Sequence, residues 1–192
     1  MERNSLNSQG YKLESQIREA FGRIVYSQTC HEKKIQSLIH KNETFKLWQI
    51  ILSALATGTF LSTIFCNELI SGIIGSLISM ILLIINSYMK NSNLEEVIQN
   101  HKNTANLLWK IREEYVTLLT DFEILSVNEI RSKRDELQDR TSEVYSKSHR
   151  TDSKSYEKAQ KALKNDEEQT FSEHEIDIML PNSIRRENRN II

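Results

Sequence analysis

Histidine, cysteine and carboxylate side chains bind metals and move protons, and their spacing in these 192 residues builds no such centre. His31, His40, His101, His149 and His174 show no HExxH pair on one helical face and no CxxC beside them. No glycine-rich phosphate loop, nucleophile–base pair or facing carboxylates can be traced. The expectation is therefore a protein that is not an enzyme and uses no metal or cofactor. Cys30 and Cys66 stand at opposite ends of a segment that, as one helix, separates them by roughly 50 Å, too far for a disulfide. Cys66 is more simply an apolar filler.

A different chemistry is written in small and polar residues set among large apolar ones. At 100° per residue, Ser71, Gly72, Gly75, Ser76, Ser79, Asn86 and Ser87 fall within about half of a helix circumference. Ile73, Ile74, Leu77, Ile78, Met80, Ile81, Ile84 and Ile85 fill the other half, with Leu82 and Leu83 as exceptions. Such a face can pack: Ser71, Gly75 and Ser79 form a small-xxx-small ladder that could meet Ala54, Gly58 and Ser62. It can also line a water path between several copies, and an oligomer needs both. Gln49, Ser53, Thr57, Thr59, Ser62 and Thr63 are scattered, and Ser and Thr can bond back to their own helix. Glu68 is either a carboxylate that keeps a tight turn in water or, repeated in an oligomer, a cation-favouring ring at a pore mouth.

These residues lie in two uncharged runs, Leu47–Asn67 and Leu69–Met89, with only Glu68 between them. Each has 21 residues, and a helix of that length spans roughly 31 Å, the thickness of a bilayer's hydrocarbon core. The predicted fold is all-α, a two-helix transmembrane hairpin in a lipid bilayer with long, coiled-coil-like cytoplasmic helices on both sides. Lys33, Lys34, Lys41 and Lys46 precede the first run and Lys90, Lys102 and Lys110 follow the second, while the turn has none. The positive-inside rule then places both termini in the cytoplasm of a multi-pass inner-membrane protein, with Phe45, Trp48 and Tyr88 as interfacial anchors. No cleavable signal is expected, because the first apolar run begins behind a long charged segment.

Outside the hairpin the chain is charge-rich. Its 25 basic and 26 acidic residues nearly cancel, so no direct nucleic-acid binding is expected, and a mean hydropathy of −0.48 conceals the split. Five glycines and one proline suit helices better than turn-rich sheets. Residues 1–10 are polar and expected to be disordered. A cytoplasmic helix follows over 11–44, with Leu13, Ile17, Phe21, Ile24, Ile35, Leu38 and Phe45 at helical spacing and a weak stretch at Gln28 and His31. After the hairpin (45–90), a return helix over 91–125 opens on a capping box, Ser92 to Glu95.

That helix carries an a/d seam. One row is Leu94, His101, Leu108, Tyr115 and Phe122, the other Val97, Thr104, Ile111, Leu118 and Leu125. The seam needs an apolar partner, either the Leu13–Phe45 helix of the same chain or a neighbouring copy. His101 within it reads as a packed or paired histidine rather than a ligand. Residues 126–192 form a charged helical tail, with capping boxes at Ser126–Glu129 and Ser172–Glu175 and a solvated end carrying Arg185, Arg186 and Arg189.

A cytoplasmic helix, a hairpin almost without an outer loop and a long returning helix resemble the SLATT domain, the two-transmembrane effectors associated with SMODS nucleotidyltransferases and SLOG sensors. The run Phe171-Ser172-Glu173-His174-Glu175-Ile176-Asp177-Ile178-Met179-Leu180-Pro181-Asn182-Ser183-Ile184-Arg185 looks like the tail of the fifth SLATT subfamily. The resemblance implies an oligomeric pore-forming effector that permeabilises the bacterial membrane in an anti-phage or conflict system. It also implies a partner that supplies the signal, a reverse transcriptase or a nucleotide-second-messenger protein. The alternative is a membrane-anchored coiled-coil scaffold that docks such a partner without forming a pore.

Overall fold

The computed structural model describes residues 2–65 and 68–186, without the side chains of residues 2–9, 63–65, 68 and 183. Met1, the carboxylate of Glu68, Cys66 and Arg189 lie outside that description, while the backbone of residues 2–10, a stretch expected to be disordered, is helical as the start of the first helix. With no proline before residue 181, nothing interrupts the first segment, and it forms one helix, α1 (Glu2–Phe65), on the order of 95 Å long. The next described element is α2 (Glu68–Ser92), which continues as α3 (Leu94–Thr120). Helices α4 (Val127–Lys147), α5 (Ser153–Lys164) and α6 (Glu173–Met179) follow, then a 3₁₀ turn over Asn182–Ile184. No strand occurs among the described residues.

Helix α1 packs antiparallel against α2 and then α3, so the molecule is one long helical pair with α4 and α5 laid against its charged half. Among the described residues two helices are long and apolar enough to cross a membrane, and neither apolar window is buried inside the protein. Ile73, Leu77, Met80 and Ile84 are exposed on α2. Water would penalise such a surface and lipid would not.

The seam of α3 is buried as its spacing demands, through Leu94, His101, Thr104, Leu108, Ile111, Tyr115 and Leu118. Its partner is α1 of the same chain. Leu13, Ile17, Ala20 and Ile24 interlock with Leu108, Ile111, Tyr115 and Leu118, and α4 closes the cluster with Ile130 and Leu137. A second cluster joins Ile35 to Ile98 and Ala105. Each fully buried Ile or Leu contributes about 1.5–3 kcal/mol, so these clusters carry most of the bundle's stability. Helix α3 stops at Thr120, and Phe122 and Leu125 pack on the core from the turn that follows.

The capping boxes at Ser126 and Ser172 both form, each hydroxyl accepting from the N3 amide while the N3 glutamate takes the serine amide. The one expected at Ser92 does not. Ser92 stays helical and its hydroxyl donates to the Met89 carbonyl, while Asn93 enters α3 in the left-handed conformation (φ 42°) with no side-chain cap. An N-cap serine needs extended backbone. Here the chain never leaves α1, so the break shrinks to one residue. That residue resets the packing phase. Half-buried positions on α2 (Ser71, Gly75, Ile78, Leu82, Ile85, Met89, Ser92) step by four and three, and the α3 series (Leu94, Ile98, His101, Ala105, Leu108) does the same from a shifted origin. Such phase shifts let a seam stay on its partner.

Candidate functional site

Inside the hairpin, contact is small and polar. The Ser62 and Ser71 hydroxyls are hydrogen-bonded at 3.0 Å, and the Gln49 amide donates to Asn86 Oδ1 at 2.6 Å. A Cβ on Gly75 would sit 2.9 Å from Thr59 Oγ1, so glycine here permits the close approach of the two helices. At the charged end, Lys41 donates to the Tyr88 hydroxyl at 2.7 Å, Phe45 and Tyr88 lie ring to ring at 5.3 Å, and Lys46 pairs with Glu95. Aromatic and lysine groups at this level mark the membrane interface.

The polar face foreseen on the second span is split by this packing. Ser71 and Gly75 meet α1, where their neighbours are Thr59 and Ser62. Ala54 and Gly58 are exposed, and nothing lies within 4 Å of a Cβ built on Gly58 or Gly72. Gly72, Ser76, Ser79 and Ser87 are exposed too, on a stripe about 100° around α2 from the seam and interrupted by Leu83. Asn86 borders both. Ser76 donates to the Gly72 carbonyl, the back-bond that lets a serine sit in apolar surroundings.

A second polar feature lies deeper in the charged half, where the apolar row of α1 weakens. Gln28, Thr29, Cys30 and His31 are all buried there. His31 is 4% exposed and His101 1%, and their Nδ1 atoms are 2.9 Å apart, so one nitrogen donates and the other accepts. His149, in the connection between α4 and α5, stands 6.0 Å from His101 ring to ring. Burial, then the charge of His101, pushes His31 down to about 4. His101 is lowered as well, by burial first, then by His149 and Lys34, with Asp152 opposing. Asp152 caps α5 and bonds Lys34 at 2.7 Å, which holds its carboxyl well below the usual range.

The loop after α5 completes this layer. Gln169, in the left-handed region at φ 72°, donates to Thr29 Oγ1 and accepts from Arg112, which also reaches Gln28. Lys33 pairs with Glu168, and Lys158 donates to Ser37. Among the described residues no group of three histidine, cysteine or acidic side chains is arranged to hold a metal. An open cavity of about 420 Å³ lies between α3 and α4 with Asn100, Asn103, Arg140, Lys147 and His149 at its edge. Arg140 there is engaged by Glu114 and Lys147 by Glu143.

A loopless hairpin of two exposed apolar helices, continued into an intrachain coiled coil, is the layout that a family model also finds. Residues 13–175 match the model described as SMODS and SLOG-associating 2TM effector domain family 4. The chain belongs to the SLATT family. The matching model is the fourth subfamily's, not the fifth's, and it ends at residue 175, inside the Phe171–Arg185 run on which that finer likeness rested. No curated protein and no solved structure matches the chain. This SLATT chain is therefore a two-transmembrane effector-domain protein, with α1 and α2 as its membrane helices. His101 was legible as a paired histidine. Its partner was not, because a seam position in α3 says nothing of which α1 residue it faces across 70 residues of chain.

Proposed function

We propose that this SLATT protein is a bacterial inner-membrane effector that self-associates and opens a path across the membrane in an anti-phage or conflict system. The observation that carries this is the Gly72–Ser76–Ser79 stripe, which intrachain packing leaves exposed on a helix otherwise covered in isoleucine and leucine. Small residues let helices approach closely, and a ring of hairpins would turn the stripe towards its own copies or towards water. Both termini lie in the cytoplasm, following the lysines, so the bundle of α3–α5 is available to a partner such as a reverse transcriptase or a nucleotide-signalling protein.

Dye and ion release from liposomes tests this, with the cognate activator present. Wild-type protein releases the contents, Ser76→Leu and Gly72→Leu abolish release without preventing insertion, and Ile81→Leu on the opposite side is silent. Intact liposomes at all protein concentrations would overturn it. A scaffold is the second reading, favoured by the exposed Phe171, Ile176, Ile178 and Met179 around the capped α6. Replacing residues 45–89 with an unrelated two-span hairpin separates the two: a scaffold keeps its activity and a pore loses it.

A further inference from the structure

We propose that the buried histidine layer is an acid-sensitive latch, in which proton uptake by His31 and His101 releases residues 149–170 from α1. The geometry carries this. An Nδ1-to-Nδ1 contact of 2.9 Å has room for one hydrogen; a proton on the accepting Nδ1 sets two N–H groups against each other and breaks the bond, and a further proton on the Nε2 of the other ring leaves two cations face to face in a site almost closed to water. The titratable and charged groups facing the pair are Lys34 from α1, and His149 and Asp152 from the connection that leads into α5. Asp152 is the one carboxylate among these, and it is already bonded to Lys34 and to Ser155. A charged His101 can recruit Asp152 only by competing with Lys34, the bridge that ties the start of α5 to α1.

What holds α5 is thin in apolar terms. Its buried residues are Ser155, Ala159 and Ala162, with the Tyr26–Tyr156 stack and the Lys158–Ser37 pair beside them, and the loop that follows is tied by polar pairs, Lys33 with Glu168 and Gln169 with Thr29. The Leu13–Ile24 and Leu108–Leu118 core lies further along the pair and takes no part. Acid therefore loosens the latch and leaves the coiled coil standing. The low basicity of the buried rings supports the direction, since opened histidines regain ordinary proton affinity and capture protons between about pH 6.5 and 4. The latch requires nothing of the hairpin beyond anchoring, so a failed leakage test leaves it intact.

Hydrogen–deuterium exchange of the full chain in lipid nanodiscs, corrected for the intrinsic pH dependence of exchange, tests it. Between about pH 7.5 and about pH 5.5, protection over 153–170 falls by roughly tenfold or more, while residues 13–24 and 108–118 stay protected. His31→Asn and His101→Asn remove that response. Should these core variants fold poorly, the exposed His149→Gln serves instead; relieving repulsion on His101, it moves the opening to lower pH. Equal protection of 153–170 at both pH values would overturn the proposal, as would the full response persisting in the layer variants or an unmoved midpoint in His149→Gln.

Discussion

Gly75 and Gly72 are three residues apart, yet only Gly75 has a neighbour for an added side chain. Gly75→Leu must displace Thr59, whose hydroxyl is bonded to the Ala56 carbonyl, and should destabilise the hairpin by about 1–3 kcal/mol. Gly72→Leu should leave the stability of the isolated protein unchanged within about 0.5 kcal/mol. Thermal unfolding in detergent reads both. His31 gives a second prediction. Its folded value of about 4 lies below the ordinary 6.5, so the unfolded chain binds more protons in between. Its stabilising contribution is complete above about pH 6.5 and drains away towards pH 4, worth about 3 kcal/mol over the whole window. Urea unfolding across that range measures it, and His31→Asn should flatten the slope. The weak stretch at Gln28 and His31 was visible in the sequence as a gap in an apolar row. That it is a buried polar layer was not, since a gap does not say what fills it.

At the scale of elements, the same Ser-x-x-Glu pattern gave two true caps and one false one. At Ser126 and Ser172 a loop precedes the helix, so the serine is free to turn extended. At Ser92 the preceding helix and the following one share α1 as partner, and a local motif cannot report that. Ser126→Ala should cost about 1 kcal/mol, whereas Ser92→Ala should cost a few tenths, a contrast that denaturant midpoints can resolve. Asn93 is the other half of this difference. Asparagine tolerates positive φ, so Asn93→Gly should be nearly neutral and Asn93→Val should cost about 1–2 kcal/mol. Deleting Asn93 should do more. It turns α3 by about 100° relative to α2 and takes either His101 and Leu108 or Gly75 and Leu82 off the seam. Loss of helix–helix protection in hydrogen exchange would report which half yields.

For the whole molecule, hydropathy and heptad spacing made the two spans and the α3 seam legible, because burial in lipid or against another helix selects residue type strongly. The docking of α5 was not legible. It is held by Lys34–Asp152, Lys33–Glu168 and Gln169–Thr29, pairs that look in sequence like any solvated charged tail. The seam's partner was open for a related reason: spacing shows that α3 needs an apolar neighbour, and only the packing of α2 and α3 back along α1 makes its own α1 that neighbour. The molecule thus joins a hairpin with an unspent polar stripe to a bundle with a polar latch. Cysteine accessibility in the membrane probes the stripe most directly, in a Cys30→Ala, Cys66→Ala background. Ser76→Cys and Ser79→Cys should react with a membrane-impermeant thiol reagent once the protein is active, and labelling should block flux, while Ile81→Cys on the lipid side stays unreactive. If Ser76→Cys and Ser79→Cys are as inert as Ile81→Cys in protein that still leaks, the stripe does not line the path.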